Sequence, residues 1–311
     1  MIDNIKALAQ PGVVSDANKF VEYLTFMIHR GTDCTIIQKA LNQVAMFERS
    51  ISQKDLTANL TVSIGVSNHG WNIVLPNIYK PVKLASFTAM EEGSRSFPAT
   101  DGDLFFMIKS DRIDLNFQLA KYIFKVFGNF STLVEDIQGF RYLDNRDMVD
   151  FVDGSENPTS ELRLESILVK DERKVHVGGS YLTVQRYVTK ERNWVSQSVA
   201  YQEKVIGRTK FDDIELNEND KPAWAHNNKS KVFIDGVEQK ILRQNRPYGN
   251  ALEHGTMFIG FCSEPEVIQL SLKQMIYADE LGNYDRLLDF VEAKTGTNYF
   301  MLSQTLLNLF D

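Results

Sequence analysis

The second half of this chain repeats the plan of its first, and that duplication limits the folds open to it more than any other feature. Tyr23-Leu24-Thr25-Phe26 returns as Tyr181-Leu182-Thr183-Val184, 158 residues further on. Phe106-Met107-Ile108-Lys109, followed by Ser110-Asp111, returns as Phe258-Ile259-Gly260-Phe261, followed by Ser263-Glu264, 152 residues further on. A repeated unit brings its own strands and helices, whose apolar faces must be buried together. In the first copy Gln10-Pro11-Gly12 reads as a turn and Tyr23 to Ile28 as a strand. Ile36, Ile37, Ala40, Leu41, Val44, Ala45 and Phe47 have helical spacing, which predicts a helix from Cys34 to about Ser50. Leu60 to Val66 alternates as a strand does, and Leu104 to Ile108 reads as a buried one. Ser110-Asp111 then caps a second helix that runs to about Val126.

Two strand–helix–strand–helix units predict an α+β fold of duplicated ferredoxin-like halves, antiparallel sheets flanked by helices. The expected boundaries are 1–150 for the N-terminal half and 151–311 for the C-terminal half, in line with about 150 residues per domain.

Charge narrows the partners. Lys and Arg number 34 against 41 Asp and Glu, a net charge of −7, and no long basic run is present. Such a chain is poorly suited to nucleic acid or an anionic membrane surface. No apolar run approaches the roughly 20 residues needed to cross a bilayer. The N-terminal stretch has no basic segment followed by an apolar one. Cys34 and Cys262 are too few for a zinc site or a disulfide scaffold and suit a reducing compartment. The expectation is a cytoplasmic protein.

Several chemistries lack their motifs. The five histidines, His29, His69, His176, His226 and His254, include no i, i+4 pair, which excludes a zincin helix. GxSxG, GxxxxGK[ST] and GxGxxG are all absent. Between the halves, residues 141–160 are dense in Asp, Asn, Gly and Pro and read as a loop. Met148, Val149, Phe151 and Val152 anchor it. Its acids lack the alternate spacing of a calcium loop, so taken alone it is a turn at Asp153-Gly154.

Taken with other segments, that loop changes meaning. Phe151-Val152-Asp153-Gly154-Ser155-Glu156-Asn157-Pro158 is followed by Ile206-Gly207-Arg208-Thr209-Lys210 and Ala225-His226-Asn227. Then come Ile241 to Gly249, with Arg243-Gln244-Asn245-Arg246-Pro247 inside it, and Gly282 to Phe290. In this order and spacing they resemble the dye-decolorizing peroxidases, in the compact bacterial branch. The resemblance runs from Glu92-Gly93 and Pro98-Ala99-Thr100 to the last helix. One position departs from it: the family motif begins with Gly where this chain has Asp150.

The resemblance implies a dimeric α+β barrel-type haem peroxidase, an oxidoreductase with one haem b per chain in the C-terminal half. Hydrogen peroxide would be the oxidant, and phenolic, anthraquinone-like or other bulky aromatic molecules the reductants, by way of a ferryl intermediate. It implies His226 as the iron ligand and Asp285 as the acid holding its other ring nitrogen, with Asp289 as the fallback on the same helix. Asp153 would shuttle the peroxide proton, with an acidic optimum for oxidation. Arg243 would stabilise the developing hydroxide, Asn245 would add a third polar group, and Arg208 would pair with a haem propionate. Phe258, Ile259 and Phe261 read as core strand rather than haem wall, with one of them able to be both, and Trp71, Trp194 and Trp224 as packing, with Trp224 the residue to test for electron transfer. Asp150 is expected to tighten the loop and slow peroxide entry. A homo-oligomer, dimer or higher, is also implied, while loading into an encapsulin shell is unsupported. The alternative is a protein that binds, stores or transfers haem or porphyrin without turnover, although a carrier has no need of Asp153 and Arg243 together.

Overall fold

The computed structural model describes residues 2–310. Its main sheet has ten strands: β1 (Phe20–Ile28), β2 (Thr61–Ser67), β3 (Leu104–Ser110), β4 (Ser131–Phe140), β5 (Ser180–Thr189), β6 (Leu242–Arg243), β7 (Arg246–Gly249), β8 (His254–Cys262), β9 (Val291–Ala293) and β10 (Thr297–Met301). The order is β6-β8-β7-β4-β1-β3-β2-β10-β5-β9, and β8 also pairs with β5. That last pairing closes the sheet on itself as a barrel, so the long strands have no free edge.

The duplication is visible in the strand order. The first half runs β4-β1-β3-β2, and the second runs β10-β5-β8-β7, the same ferredoxin-like arrangement. The halves join where β2 meets β10, over Gly65 to Ser67, and where Tyr248 of β7 bridges Gly139 of β4. The Tyr-Leu-Thr echo marks the right strands three residues out of step. Phe20 pairs with Ser110, and Tyr181 pairs with Cys262, which lies 152 residues after Ser110. Tyr181 is therefore the counterpart of Phe20, and Val184 is the counterpart of Tyr23. An odd shift sends a side chain to the other face of a strand. Tyr23 accordingly lies inside the barrel and Tyr181 outside it.

Alternation along the strands divides the core in two. Tyr23, Phe105, Met107, Leu182, Val184, Ile259, Phe261 and Tyr299 fill the barrel. Leu24, Phe26, Phe106 and Ile108 face outward and pack under two amphipathic helices, α1 (Cys34–Ser52) and α2 (Ile113–Phe127). Asp33 caps α1 by accepting from Thr35 N–H. The expected cap of α2 differs: Arg112 is its N-cap residue, and Ser110 Oγ accepts from Arg112 N–H while bonding Asn116. The expected turn at Pro11-Gly12 is a short helix, Pro11–Val14, which proline suits at its first position.

No helix among the described residues is long and apolar enough to cross a membrane.

Candidate functional site

The second half has the same outward sheet face, but its helices do not close on it. Gln185, Tyr187 and Thr189 of β5 and Thr256 and Phe258 of β8 point away from the barrel. Above them stand Ile268, Leu272 and Met275 of a helix, Pro265–Ile276. In the first half Phe26, Phe106 and Phe127 fill the corresponding layer. Here it encloses a cavity of about 1550 Å³, solvent at its mouth included. Phe258, expected as core strand, lines this cavity, whereas Ile259 and Phe261 are barrel core.

His226 enters the cavity at the start of a one-turn helix, His226–Lys229, whose N-cap Ala225 is wholly buried. Gly207 sets the height of this turn. Its φ of +90° ends the helix Val199–Ile206, and Asn227 Nδ2 donates to its carbonyl at 3.2 Å. A Cβ there would stand 2.0 Å from Asn227 Oδ1, so only glycine fits. On the far side His226 Nδ1 lies 2.6 Å from Asp285 Oδ2. Asp285 has no exposed surface, and its other oxygen accepts from Leu287 N–H at 2.9 Å. Burial disfavours the charged imidazolium, but the charge and hydrogen bond of Asp285 outweigh it and raise the His226 pKa. His226 Nε2 has no partner among the described residues.

Contrary to the expectation from the sequence, Asp285 and Asp289 do not share a helix. Asp285 caps a short 3₁₀ turn, Arg286–Asp289. Asp289 accepts from the Tyr284 hydroxyl at 2.8 Å and from Arg286 at 3.4 Å, away from His226.

Asp153, Arg243 and Asn245 line the same cavity. The loop carrying Asp153 is held at its waist: Asp153 N–H donates to Asn145 O at 3.0 Å, and Asn145 Nδ2 donates to Asp153 O at 2.8 Å. Asn157 grips the backbone of Arg243, accepting from its N–H at 2.9 Å and donating to its carbonyl at 2.8 Å. Asn245 Oδ1 accepts from Ile259 N–H at 3.0 Å. The intervening Gln244 points the other way, into the barrel end. There Nζ of the fully buried Lys109 donates to its Oε1 at 2.7 Å. Each backbone is thus fixed, while the Asp153 carboxylate, the Arg243 guanidinium and Asn245 Nδ2 have no protein partner among the described residues.

Asp150 has a φ of +66°, the left-handed region where glycine is at ease. Its carboxylate lies 3.3 Å from Lys210 Nζ, and its carbonyl accepts from Arg146 at 2.8 Å.

Arg208 also lines the cavity, but acids already hold its guanidinium: Asp213 at 2.6 Å and Glu156 at 3.2 Å. Sequence reasoning missed two further cavity cations, Lys231, 3.0 Å from Glu215, and Lys240, 2.7 Å from Glu238. It also missed Asp147. Burial, reinforced by the charge of Asp153, pushes this carboxyl up to about 7. Only the assembled cavity marks these residues. Trp71 and Trp194 are buried, and Trp224 is half-buried beside Tyr201, ring centroids 6.0 Å apart.

The cavity suits a metal carried by an organic frame. Among the described residues no cluster of three or more His, Cys, Asp or Glu is placed to hold a metal by itself. One imidazole nitrogen is free, and Gln185 Nε2 and Asn227 Oδ1 are buried atoms of cavity-lining residues without a partner. Unsatisfied groups of this kind are rare unless something binds them.

The chain is similar to known proteins over most of its length. The family model "Dyp-type peroxidase, N-terminal" matches residues 10–141 and "Dyp-type peroxidase, C-terminal" matches 144–306. A dye-decolorizing peroxidase of Mycobacterium tuberculosis is 39% identical over 267 residues, covering 85% of this chain and 79% of that protein. The encapsulated DyP-type peroxidase of Mycobacterium smegmatis superposes with a TM-score of 0.93 at 34% identity, over 97% of this chain and 98% of its own. A DypB variant of Rhodococcus jostii, solved in complex with heme, gives a TM-score of 0.92 at 35% identity, over 97% and 98%.

Proposed function

The chain belongs to the Dyp-type peroxidase family, and from that premise we propose that its C-terminal cavity binds one haem b through His226 and reduces hydrogen peroxide with Asp153, Arg243 and Asn245. The observation that carries this reading is the His226–Asp285 pair, which leaves Nε2 free in a cavity that also presents three polar groups without protein partners.

Haem held there through His226 would supply the redox-active iron that peroxide reduction and donor oxidation require. The chain does the rest. Asp285 holds the Nδ1 proton, so that Nε2 is the nitrogen that binds, and its negative charge makes that nitrogen a stronger donor. Asp153 takes the proton from one peroxide oxygen and returns it to the other, which leaves as water. Arg243 stabilises negative charge on the departing oxygen with a fixed cation, and Asn245 Nδ2 donates a further hydrogen bond. Arg208, Lys231 and Lys240 are the cavity cations that would be available to the cofactor's carboxylates, and any of them would have to loosen an existing ion pair to bind one.

The reductants in this reading are phenolic, anthraquinone-like or other bulky aromatic molecules, and the chain works as a homo-oligomer in the cytoplasm. Two unpaired thiols, Cys34 and Cys262, support a reducing compartment. The functional units are 1–150 and 151–311, with the cofactor in the second. The rival reading, a porphyrin carrier, gains nothing from the polar groups beside the cavity.

The test is the absorption spectrum of the haem-loaded protein before and after one equivalent of peroxide. A histidine-ligated ferric spectrum that changes rapidly and returns on adding a phenol supports a peroxidase. Haem that binds and is unchanged or bleached supports the carrier, and loss of binding in His226→Ala identifies the ligand.

A further inference from the structure

The wall that carries His226 has a second face. Along the helix His226–Lys229 and its exit, Asn227, Ser230 and Lys231 line the cavity, while Asn228, Lys229 and again Lys231 line a separate groove. The helix Pro265–Ile276 divides in the same way, with Leu272 and Met275 toward the cavity and Lys273 and Gln274 toward the groove. The groove measures about 1010 Å³, solvent at its open side included. Its two sides are fixed to each other: Ser271 Oγ donates to Ser230 O at 2.9 Å, and Lys229 Nζ lies 3.1 Å from Asp279. A single layer of helix, about 10–12 Å with its side chains, separates it from the cavity.

The lining of the groove has a chemistry of its own. Phe233 and Tyr277 line it while 59% and 40% exposed, two aromatic rings left in water at one place. Lys229, Lys231 and Lys273 face a single lining acid, Asp279, in a chain whose net charge is −7. Asp279 holds Lys229, and Glu215 and Glu156 hold Lys231. Lys273 has no acid partner among the described residues. Two rings and one uncommitted ammonium suit a flat apolar body that carries a negative group.

We propose that this groove binds aromatic anions, with the ring against Phe233 and Tyr277 and the negative group on Lys273. The ligand's role rests on the peroxidase reading above. A phenol bearing a carboxylate or sulfonate is held here as reductant and is preferred over its uncharged counterpart. Such a donor stays outside the cavity, because only an electron has to cross the helical wall. Each phenol gives up one electron and its hydroxyl proton, which solvent takes, and becomes a phenoxyl radical. Two phenols supply the two electrons that one hydrogen peroxide takes, with two protons, to become two waters.

The experiment is calorimetric titration of the haem-loaded protein, without peroxide, with 6-hydroxynaphthalene-2-sulfonate and with 2-naphthol. Haem fills the cavity, so the groove is what remains to be titrated. The sulfonate should bind once per chain, about tenfold more tightly than 2-naphthol, as a hydrogen bond to a charged group provides. Added salt should weaken it by screening. Lys273→Gln should remove that preference, and Phe233→Ala should weaken both ligands. In steady-state oxidation with peroxide, the sulfonate-to-naphthol ratio of kcat/KM should fall in Lys273→Gln by the same factor. A wild type that does not bind the sulfonate overturns the proposal, as does binding that neither variant weakens. If the sulfonate does not bind and is still oxidised, the groove alone is wrong. If it binds through Lys273 but the haem-loaded protein does not react with peroxide, the peroxidase reading fails and the donor role falls with it.

Discussion

His226 Nδ1 and Asp285 Oδ2 stand 2.6 Å apart, although 59 residues separate them along the chain. A one-turn helix presents the imidazole, and a 3₁₀ turn presents the acid as its own cap. Asp285 is wholly buried and spends both oxygens, one on the ring and one on Leu287 N–H. Asp285→Asn keeps the shape and removes the charge. Haem affinity or the rate with peroxide should fall by about 10–100-fold, as when the partners of other metal ligands are changed. Spectral titration with haem and stopped-flow kinetics measure both, and unchanged values would contradict the role assigned to Asp285.

Arg243 and Asp153 separate chemistry from stability. Neither side chain has a protein partner among the described residues, so truncation strands no buried group. Arg243→Leu should lower the peroxide rate by about 10²–10³-fold while shifting stability by less than about 1 kcal/mol. Thermal melts beside the kinetics give the comparison, and a collapse in melting temperature would show that Arg243 is structural.

Gln244 tests how that strand is held. It is 3% exposed, accepts from Lys109 Nζ and donates to Val13 O at 3.0 Å. Gln244→Leu leaves the buried Lys109 Nζ short of an acceptor and should cost about 1–3 kcal/mol. Because Arg243 and Asn245 flank it, the peroxide rate should fall too, which a melt combined with stopped-flow will read.

Asp150 occupies a left-handed position with φ +66° and is tied to Lys210. Asp150→Gly relieves backbone strain of about 1–2 kcal/mol but loses an ion pair with a half-exposed acid, worth about 0–1 kcal/mol, and adds unfolded-state entropy. Net stability should change little. The loosened loop should react faster with peroxide, and an identical rate would show that Asp150 does not slow entry.

Glu22 predicts a pH dependence away from the site. It is 1% exposed, and one of its oxygens has no partner among the described residues. Burial, then the Asp136 charge, raises its pKa. Native Glu22 therefore keeps its proton where the unfolded chain has lost it. The stability tied to it is complete below the ordinary carboxylate range and is lost as pH rises through the raised native value. Glu22→Gln should melt like the wild type at pH 4 and above it at pH 8, and parallel melting curves at both pH values would rule this out.

Local pieces and the repeat are legible in the sequence. Period-two and period-3.6 patterns within a few residues announce β1, α1, β2, β3 and α2, and the motif around His226 marks the proposed ligand. Those signals depend on neighbours along the chain, which a sequence displays directly. Register, closure and space depend instead on packing between distant segments. Only the folded chain makes Tyr181 the counterpart of Phe20, closes β8 on β5, and turns Phe258 to a cavity while Ile259 and Phe261 fill the barrel. Folding also places Asp285 as a cap and not on a shared helix with Asp289, engages Arg208 with Asp213 and Glu156, and brings Asp147, Lys231 and Lys240 to the cavity. No short pattern encodes these relations, because each depends on how segments far apart in the chain pair and pack against one another.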